Sequence, residues 1–119
     1  MNRIINMNKN TSGSFNSRPI FLKEKAPTIK IFLEEILYIE AFGNHVSIKT
    51  PTDRFTVNET MKDIEGMLPN ANFIRVHRSY IVPLNKVKML HEKSLVIDNM
   101  FIPISNLYKR DLKKRLKEA

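Results

Sequence analysis

The side chains best suited to chemistry in this chain are its three histidines and its arginines, since it has no cysteine. His45, His77 and His91 are too widely spaced to form an H-x-x-x-H metal pair or an H-E-x-x-H protease motif. The chain lacks a thiol nucleophile and a G-x-S-x-G elbow, and its three glycines do not form a phosphate-binding loop. The sequence therefore predicts no enzyme activity, no metal site and no cofactor.

The charge of the chain points to an anionic partner. Twenty Lys and Arg residues against twelve acids give a formal net charge of +8. Such a charge favours nucleic acid first and an acidic membrane second, although a basic protein without a polyanionic partner has the same composition. No apolar run approaches the roughly 18 residues of a spanning helix, and no secretory signal opens the chain. We expect a cytoplasmic protein that does not bind membranes.

The elements that must position these side chains are mostly short strands. From Ile20 onward, short apolar runs alternate with Pro, Gly, Asn and Asp breakers. Residues 36–41 are β-rich and mostly apolar, which predicts a central strand. Residues 1–18 contain five Asn and three Ser and lack periodicity, which predicts a disordered tail or linker. The expectation is one mainly β (α+β) domain over residues 19–119, built of short antiparallel strands with two flanking helices.

Two segments have helical periodicity. The first follows Asn58, the predicted N-cap, with Glu59 in its first turn. Its apolar positions are Met61, Ile64, Met67 and Leu68. The second begins at Ser105. Its predicted apolar side comprises Leu107, Tyr108, Leu112 and Leu116. Most of its other residues are basic, which is typical of a solvated face rather than of a recognition helix.

Residues 73–82, with the sequence FIRVHRSYIV, resemble the signature of the LytTR family of DNA-binding domains. Three more segments match in order and spacing: residues 36–41 followed by Asn44 and His45, residues 60–69, and residues 102–105. The resemblance spans residues 20–117, nearly the whole of the predicted domain.

This resemblance implies a compact, elongated all-β core with flanking helices, acting as the output domain of a transcriptional response regulator. Members of the family bind double-stranded DNA as paired domains on direct repeats and insert loop residues into successive major grooves. Most carry an N-terminal receiver domain, for which 119 residues leave no room. We therefore expect a stand-alone regulator, an excised output domain or a domain that takes its signal from a separate protein. We also expect a monomer that forms a homodimer only on DNA.

Two turns would carry the first DNA contacts. Asn44 and His45 occupy the positions of the family's groove-entering loop; asparagine can bond adenine bidentately and histidine can donate to a base or a phosphate. Asn44 also fits an ordinary turn residue beside Gly43. Arg78 occupies the family's second contact position, where an arginine can grip guanine through two parallel bonds or hold a phosphate.

The neighbours of Arg78 have other expected roles. Strand periodicity places Arg75 and His77 on the face opposite to Arg78. We interpret His77 as a buried structural histidine that bonds to the backbone and holds the loop. Arg75 is equally well explained as a surface residue paired with an acid.

The corner where the second helix begins would carry the third contact. The family often has a basic residue there, whereas this chain has Asn106, so Lys109 and Arg110 are expected to compensate. Ser105 is either a contact or a plain N-cap, and both roles leave helix N–H groups that suit a phosphate. Further candidates, for phosphate contacts alone, are Lys30, Lys49 and Arg54.

The sequence leaves an alternative function open, a LytTR-like protein-interaction module with weak or no sequence-specific DNA binding. The missing receiver and Asn106 motivate it. RNA binding is less favoured because it requires stacking aromatics on an exposed sheet face, and most of the ten aromatic residues lie in apolar runs.

Overall fold

The structure is a computed structural model and describes residues 19–23 and 28–118. The predicted tail at residues 1–18 lies outside the described residues. Within them lie ten strands and two α-helices, so the mainly β fold class is confirmed. The elements are β1 (Pro19–Lys23), β2 (Thr28–Phe32), β3 (Tyr38–Phe42), β4 (His45–Lys49), β5 (Arg54–Val57), α1 (Met61–Met67), β6 (Phe73–His77), β7 (Tyr80–Pro83), β8 (Met89–Leu90), β9 (Ser94–Ile97), β10 (Met100–Pro103) and α2 (Asn106–Glu118).

The strands form three antiparallel sheets. The largest has five strands in the order β5-β4-β3-β7-β6, and it is accompanied by a three-stranded sheet, β10-β9-β8, and by the hairpin β1-β2. Strand β3 lies at the centre of the large sheet, which confirms the central strand expected from the apolar run at residues 36–41. A 3-10 turn at Leu33–Glu35 leads into it.

Alternation along the strands gives the large sheet two apolar faces. On one face Ile39, Ile48 and Ile81 are cross-strand neighbours and are fully buried. They pack in one core with residues of β1, β2 and α1. The opposite face contributes Ile74 and Val82 to a second core, shared with β9, β10 and α2. The large sheet is therefore the middle of three layers, as expected for a sheet that is apolar on both sides.

Helix α2 covers the outer edge of the large sheet. The Ser105 N–H donates to the Val76 carbonyl of β6 at 2.9 Å. Ten residues further on, the Arg115 guanidinium donates to the Asn70 carbonyl and, at 3.4 Å, to the Phe73 carbonyl. The bonds to Val76 and Phe73 satisfy carbonyl groups of β6 that an edge strand would otherwise present to solvent or to another chain.

The helices differ from their predicted details at two places. Helix α1 is capped by Thr60, whose hydroxyl accepts the Asp63 N–H at 3.0 Å, so the prediction of Asn58 as N-cap was wrong. Val57 still pairs with Val46 in the sheet, and the chain needs the following residues to turn into the helix. Leu107 is 80% exposed, so its predicted place on the apolar side of α2 was also wrong.

Two predictions concern the three-stranded sheet. The predicted strand at residues 87–90 is reduced to β8, since Val87 is the C-cap of a 3-10 turn at Leu84–Lys86 and its N–H donates to the Leu84 carbonyl at 3.3 Å. The predicted turn at Asp98 and Asn99 is confirmed, and both residues have positive φ, at 47° and 69°. Positive φ at both central positions is the requirement of the type I′ turn that joins tightly paired strands.

Candidate nucleic-acid interface

The turn β3–β4 and the turn β6–β7 project from the same end of the large sheet. Strands β3 and β7 are adjacent and antiparallel, with Glu40 opposite Tyr80. The Ala41 N–H donates to the Ser79 carbonyl at 2.9 Å, so the second turn lies beside the end of β3. With about 4.8 Å between neighbouring strands, the centres of the two turns are about 10 Å apart.

The start of α2 reaches the same end of the sheet. Val76, whose carbonyl holds the Ser105 N–H, precedes Arg78 by two residues. The three regions that the sequence singled out are therefore brought together. We call this end of the sheet the tip, and define it by Asn44, His45, Arg78, Ser105 and Asn106.

The first turn of the tip depends on a glycine. Phe42 pairs with His45, which leaves Gly43 and Asn44 as a two-residue connection. Gly43 has φ +61° while Asn44 has no positive φ, which fits a type II′ turn with glycine at its first central position. Asn44 and His45 are both exposed, although His45 opens β4 rather than lying within the turn. Phe42 is 51% exposed beside them.

The second turn of the tip presents Arg78 to solvent. Strand β6 bulges just before it, since Arg75 pairs with Ile81 whereas His77 pairs with Tyr80. The Nδ1 atom of His77 accepts the Ser79 N–H at 3.0 Å. His77 thus bonds to the backbone of the loop in the way the sequence suggested, but it is half-buried rather than buried.

Arg75 contacts the same turn as His77. Its Nε donates to the His77 carbonyl at 3.3 Å and one terminal nitrogen donates to the Arg78 carbonyl at 2.6 Å. The other terminal nitrogen pairs with Glu65 of α1 at 3.1 Å. The acidic partner was among the sequence expectations, whereas the two bonds to the turn were not. The strand periodicity of Arg75 did not signal them.

The third corner has one basic residue directed to solvent and one engaged by the protein. The Ser105 hydroxyl accepts the Leu107 N–H at 3.3 Å, which is the bond of an N-cap. Lys109 forms an ion pair with Glu92 at 2.8 Å, and this hydrogen bond lowers the pKa of Glu92 below its ordinary value. Arg110 is exposed. Of the two residues expected to compensate for Asn106, Arg110 is therefore the better placed.

The residues proposed for phosphate contacts alone do not join the tip. Lys49 pairs with Tyr38 and Arg54 at the opposite end of the strands. At 3.3 Å per residue, Lys49 is about 13 Å from His45 along β4. Arg54 donates to the Ser47 hydroxyl at 2.9 Å and to the Tyr38 hydroxyl at 3.2 Å. Lys30 lies on β2, with its ammonium 5.3 Å from the centre of a phenylalanine ring. Their contacts to phosphate stay predictions.

A hydrogen bond joins the two central strands just behind the tip. The Tyr80 hydroxyl donates to a Glu40 carboxylate oxygen at 2.8 Å. Burial and this bond raise the pKa of Tyr80 to about 12. The tyrosine therefore stays protonated at neutral pH, and the bond ties β7 to β3 where each strand meets its turn.

The described residues contain no group of three His, Cys, Asp or Glu side chains that could hold a metal ion. In that same part of the chain, no helix has the length and apolarity needed to span a membrane.

Three polar corners with mostly exposed side chains thus converge at one end of this β domain. Comparison with known proteins gives the family of the chain. The family model of the LytTr DNA-binding domain matches residues 26–117, and the chain belongs to this family. A solved structure, the LytTr DNA-binding domain of a putative methyl-accepting/DNA response regulator from Bacillus cereus, matches with a TM-score of 0.72 at 27% identity, over 82% of this chain and 95% of that chain.

Curated relatives include Sensory transduction protein LytT of Bacillus subtilis, 35% identical over 70% of this chain and 37% of that protein. Another is the Heme-containing CO-sensing transcriptional regulator RcoM 1 of Paraburkholderia xenovorans, 30% identical over 82% of this chain and 39% of that protein. The chain thus spans less than half the length of these relatives.

Proposed function

We propose that this chain binds double-stranded DNA sequence-specifically as the DNA-binding part of a transcriptional regulator, and that the tip is the surface that enters the major groove. The observation that carries the proposal is the convergence of the three polar corners at one end of the sheet. Most of the tip's side chains are exposed, and they carry the donors and acceptors that base edges require.

The spacing of the corners supports groove entry. The major groove is about 12 Å wide, enough for a two-stranded ribbon. The two hairpin turns lie about 10 Å apart, which corresponds to about three base pairs at 3.4 Å each. Asn44 and His45 can then meet one base step while Arg78 meets another a few pairs away. The start of α2, with Asn106 and Arg110, lies beyond Arg78 and reaches the flanking bases or phosphates.

Two domains on a direct repeat, one per major groove, complete the proposal. Repeats one helical turn apart would place equivalent tips on the same side of the duplex. The domain would be monomeric without DNA and would pair only on it. Its signal would come from another part of the same protein or from a separate signalling protein.

Selection of bound duplexes from a random library tests the proposal, followed by affinity measurement at two salt concentrations. We expect an enriched direct repeat. Arg78→Ala should cost about 1–3 kcal/mol on that site and relax the preference at one base pair. The matched control is Lys49→Ala, at the other end of the sheet, which should weaken binding slightly and equally for every sequence. A loss from Arg78→Ala that is the same on all sequences would exclude the base contact.

One observation favours a second candidate, the protein-interaction module. Lys109 is paired with Glu92 instead of being directed to solvent, and Asn106 lacks a charge, so the third corner is less basic than the family resemblance implies. If selection enriches no motif and the weak binding disappears at moderate salt, this second function becomes the preferred one.

A further inference from the structure

We propose that Arg75 is a positioning residue that sets the direction in which Arg78 leaves the turn, and through it the base discrimination of Arg78. The inference deepens the proposed function and rests on it. Arg75 itself would contact no DNA. It would act through two backbone carbonyls of the turn, with Glu65 as its anchor on α1.

The geometry of the guanidinium carries the inference. Its three nitrogens have three different partners: the His77 carbonyl at 3.3 Å, the Arg78 carbonyl at 2.6 Å and the Glu65 carboxylate at 3.1 Å. A guanidinium is planar and rigid, so partners bonded to different nitrogens are held at fixed positions relative to each other. The turn is thereby fixed to a helix in another layer of the domain.

The bulge explains why this turn needs such a support. Between the pairs Arg75–Ile81 and His77–Tyr80 the regular register of the hairpin is broken. A bulge disrupts the ladder locally and increases the twist, so the strand pairing alone specifies the turn less well. His77 accepts the Ser79 N–H, and Arg75 donates to the carbonyls of His77 and Arg78. Bidentate bonding of guanine is demanding in angle, so the direction of the Arg78 backbone matters for discrimination.

A purely structural role for Arg75 predicts something different. The ion pair with Glu65 involves side chains that are 20% and 45% exposed, and such pairs add little to stability. If Arg75 only stabilised the fold, its loss would weaken binding to all DNA sequences alike. A positioning role requires instead that the loss of affinity depends on the base pair that Arg78 reads.

The first test uses the protein without DNA. Backbone ¹⁵N relaxation is measured for the wild type, for Arg75→Lys and for Glu65→Gln, with Arg115→Lys as the control. Arg115 also donates to backbone carbonyls, those of Asn70 and Phe73, but at the opposite end of β6 from the turn. We expect order parameters at residues 77–79 to fall from about 0.85 toward 0.6 in Arg75→Lys, and less in Glu65→Gln. An unchanged turn in Arg75→Lys would overturn the inference.

The second test uses the selected duplex and a duplex changed at the base pair that Arg78 reads. The ratio of the two affinities should fall about tenfold in Arg75→Lys, within the range of one good bidentate contact. In the Arg78→Ala background the same change should lower the ratio no further. Equal weakening on both duplexes, or a further fall in that background, would overturn the inference.

The two tests separate this inference from the proposed function. If the wild type shows no discrimination between duplexes, the proposed function fails. The relaxation experiment still decides whether Arg75 holds the turn.

Discussion

Replacement of Leu112 by alanine tests the packing that places α2, and with it the Ser105 corner, on the sheet edge. Leu112 is fully buried in the second core. Its truncation removes apolar contacts and leaves a cavity, because the surrounding sheet relaxes only in part. Such substitutions cost about 2–5 kcal/mol. Leu107 on the same helix is 80% exposed, and its replacement by alanine should change the free energy of unfolding by less than about 0.5 kcal/mol.

Urea unfolding followed by circular dichroism measures both variants. With a slope of about 1–3 kcal/mol per molar urea, Leu112→Ala should lower the midpoint by on the order of 1–2 M, without a change in slope. Equal losses, or a larger loss at Leu107, would show that α2 presents another face to the sheet. Arg110 lies three residues after Leu107 and shares its face. That result would therefore also turn Arg110 away from solvent and remove it from the proposed interface.

Two further predictions concern the glycines and Tyr80. Gly66→Ala should raise stability by about 0.5–1 kcal/mol in thermal unfolding, because the position is helical and nothing lies within 4 Å of the added carbon. Gly43→Ala should lower stability by about 1–2 kcal/mol, since that site is equally open but has φ +61°. A change of the same sign in both variants would refute the backbone argument. Tyr80 should ionise with a pKa of about 12, so its contribution to stability is full below pH 10 and is lost as the pH rises through 12. Absorbance at 295 nm, with Tyr80→Phe as reference, checks this, and ionisation near pH 10 would contradict it.

The sequence predicts most of the strands because the fold buries both faces of its sheet. The apolar runs correspond to strands of the described residues, and β3 lies at the centre as expected. The errors arise where local preference competes with tertiary contacts. Asn58 is a good cap by type, but the pairing of Val57 delays the helix to Thr60. Leu107 is apolar by type, but the packing of Leu112 and the bond from Ser105 to Val76 fix α2 with Leu107 outward.

The candidate site was predictable residue by residue but not as an assembly. Family resemblance singled out Asn44, Arg78 and Ser105 individually. Their convergence depends first on the order of strands, which places β7 beside β3 although 37 residues separate Phe42 from Tyr80 in the chain. It depends also on the bulge of β6, which no periodicity reveals. The support from Arg75 is likewise a matter of tertiary geometry, since one guanidinium bonds to the turn and to a helix of another layer.

The bulge of β6 links two of the three corners mechanically. Arg75 holds the turn that carries Arg78, and the next residue, Val76, holds the start of α2 through its carbonyl. A displacement of this strand end would move both corners together. The first turn is joined to this unit through the bond from Ala41 to Ser79 and the bond from Tyr80 to Glu40. Loops are usually the most mobile part of a domain, and base readout needs side chains held to within about 0.5 Å. Turns that are only two residues long, between strands bonded to one another, reconcile those two demands, and Arg75 also holds the second turn to α1.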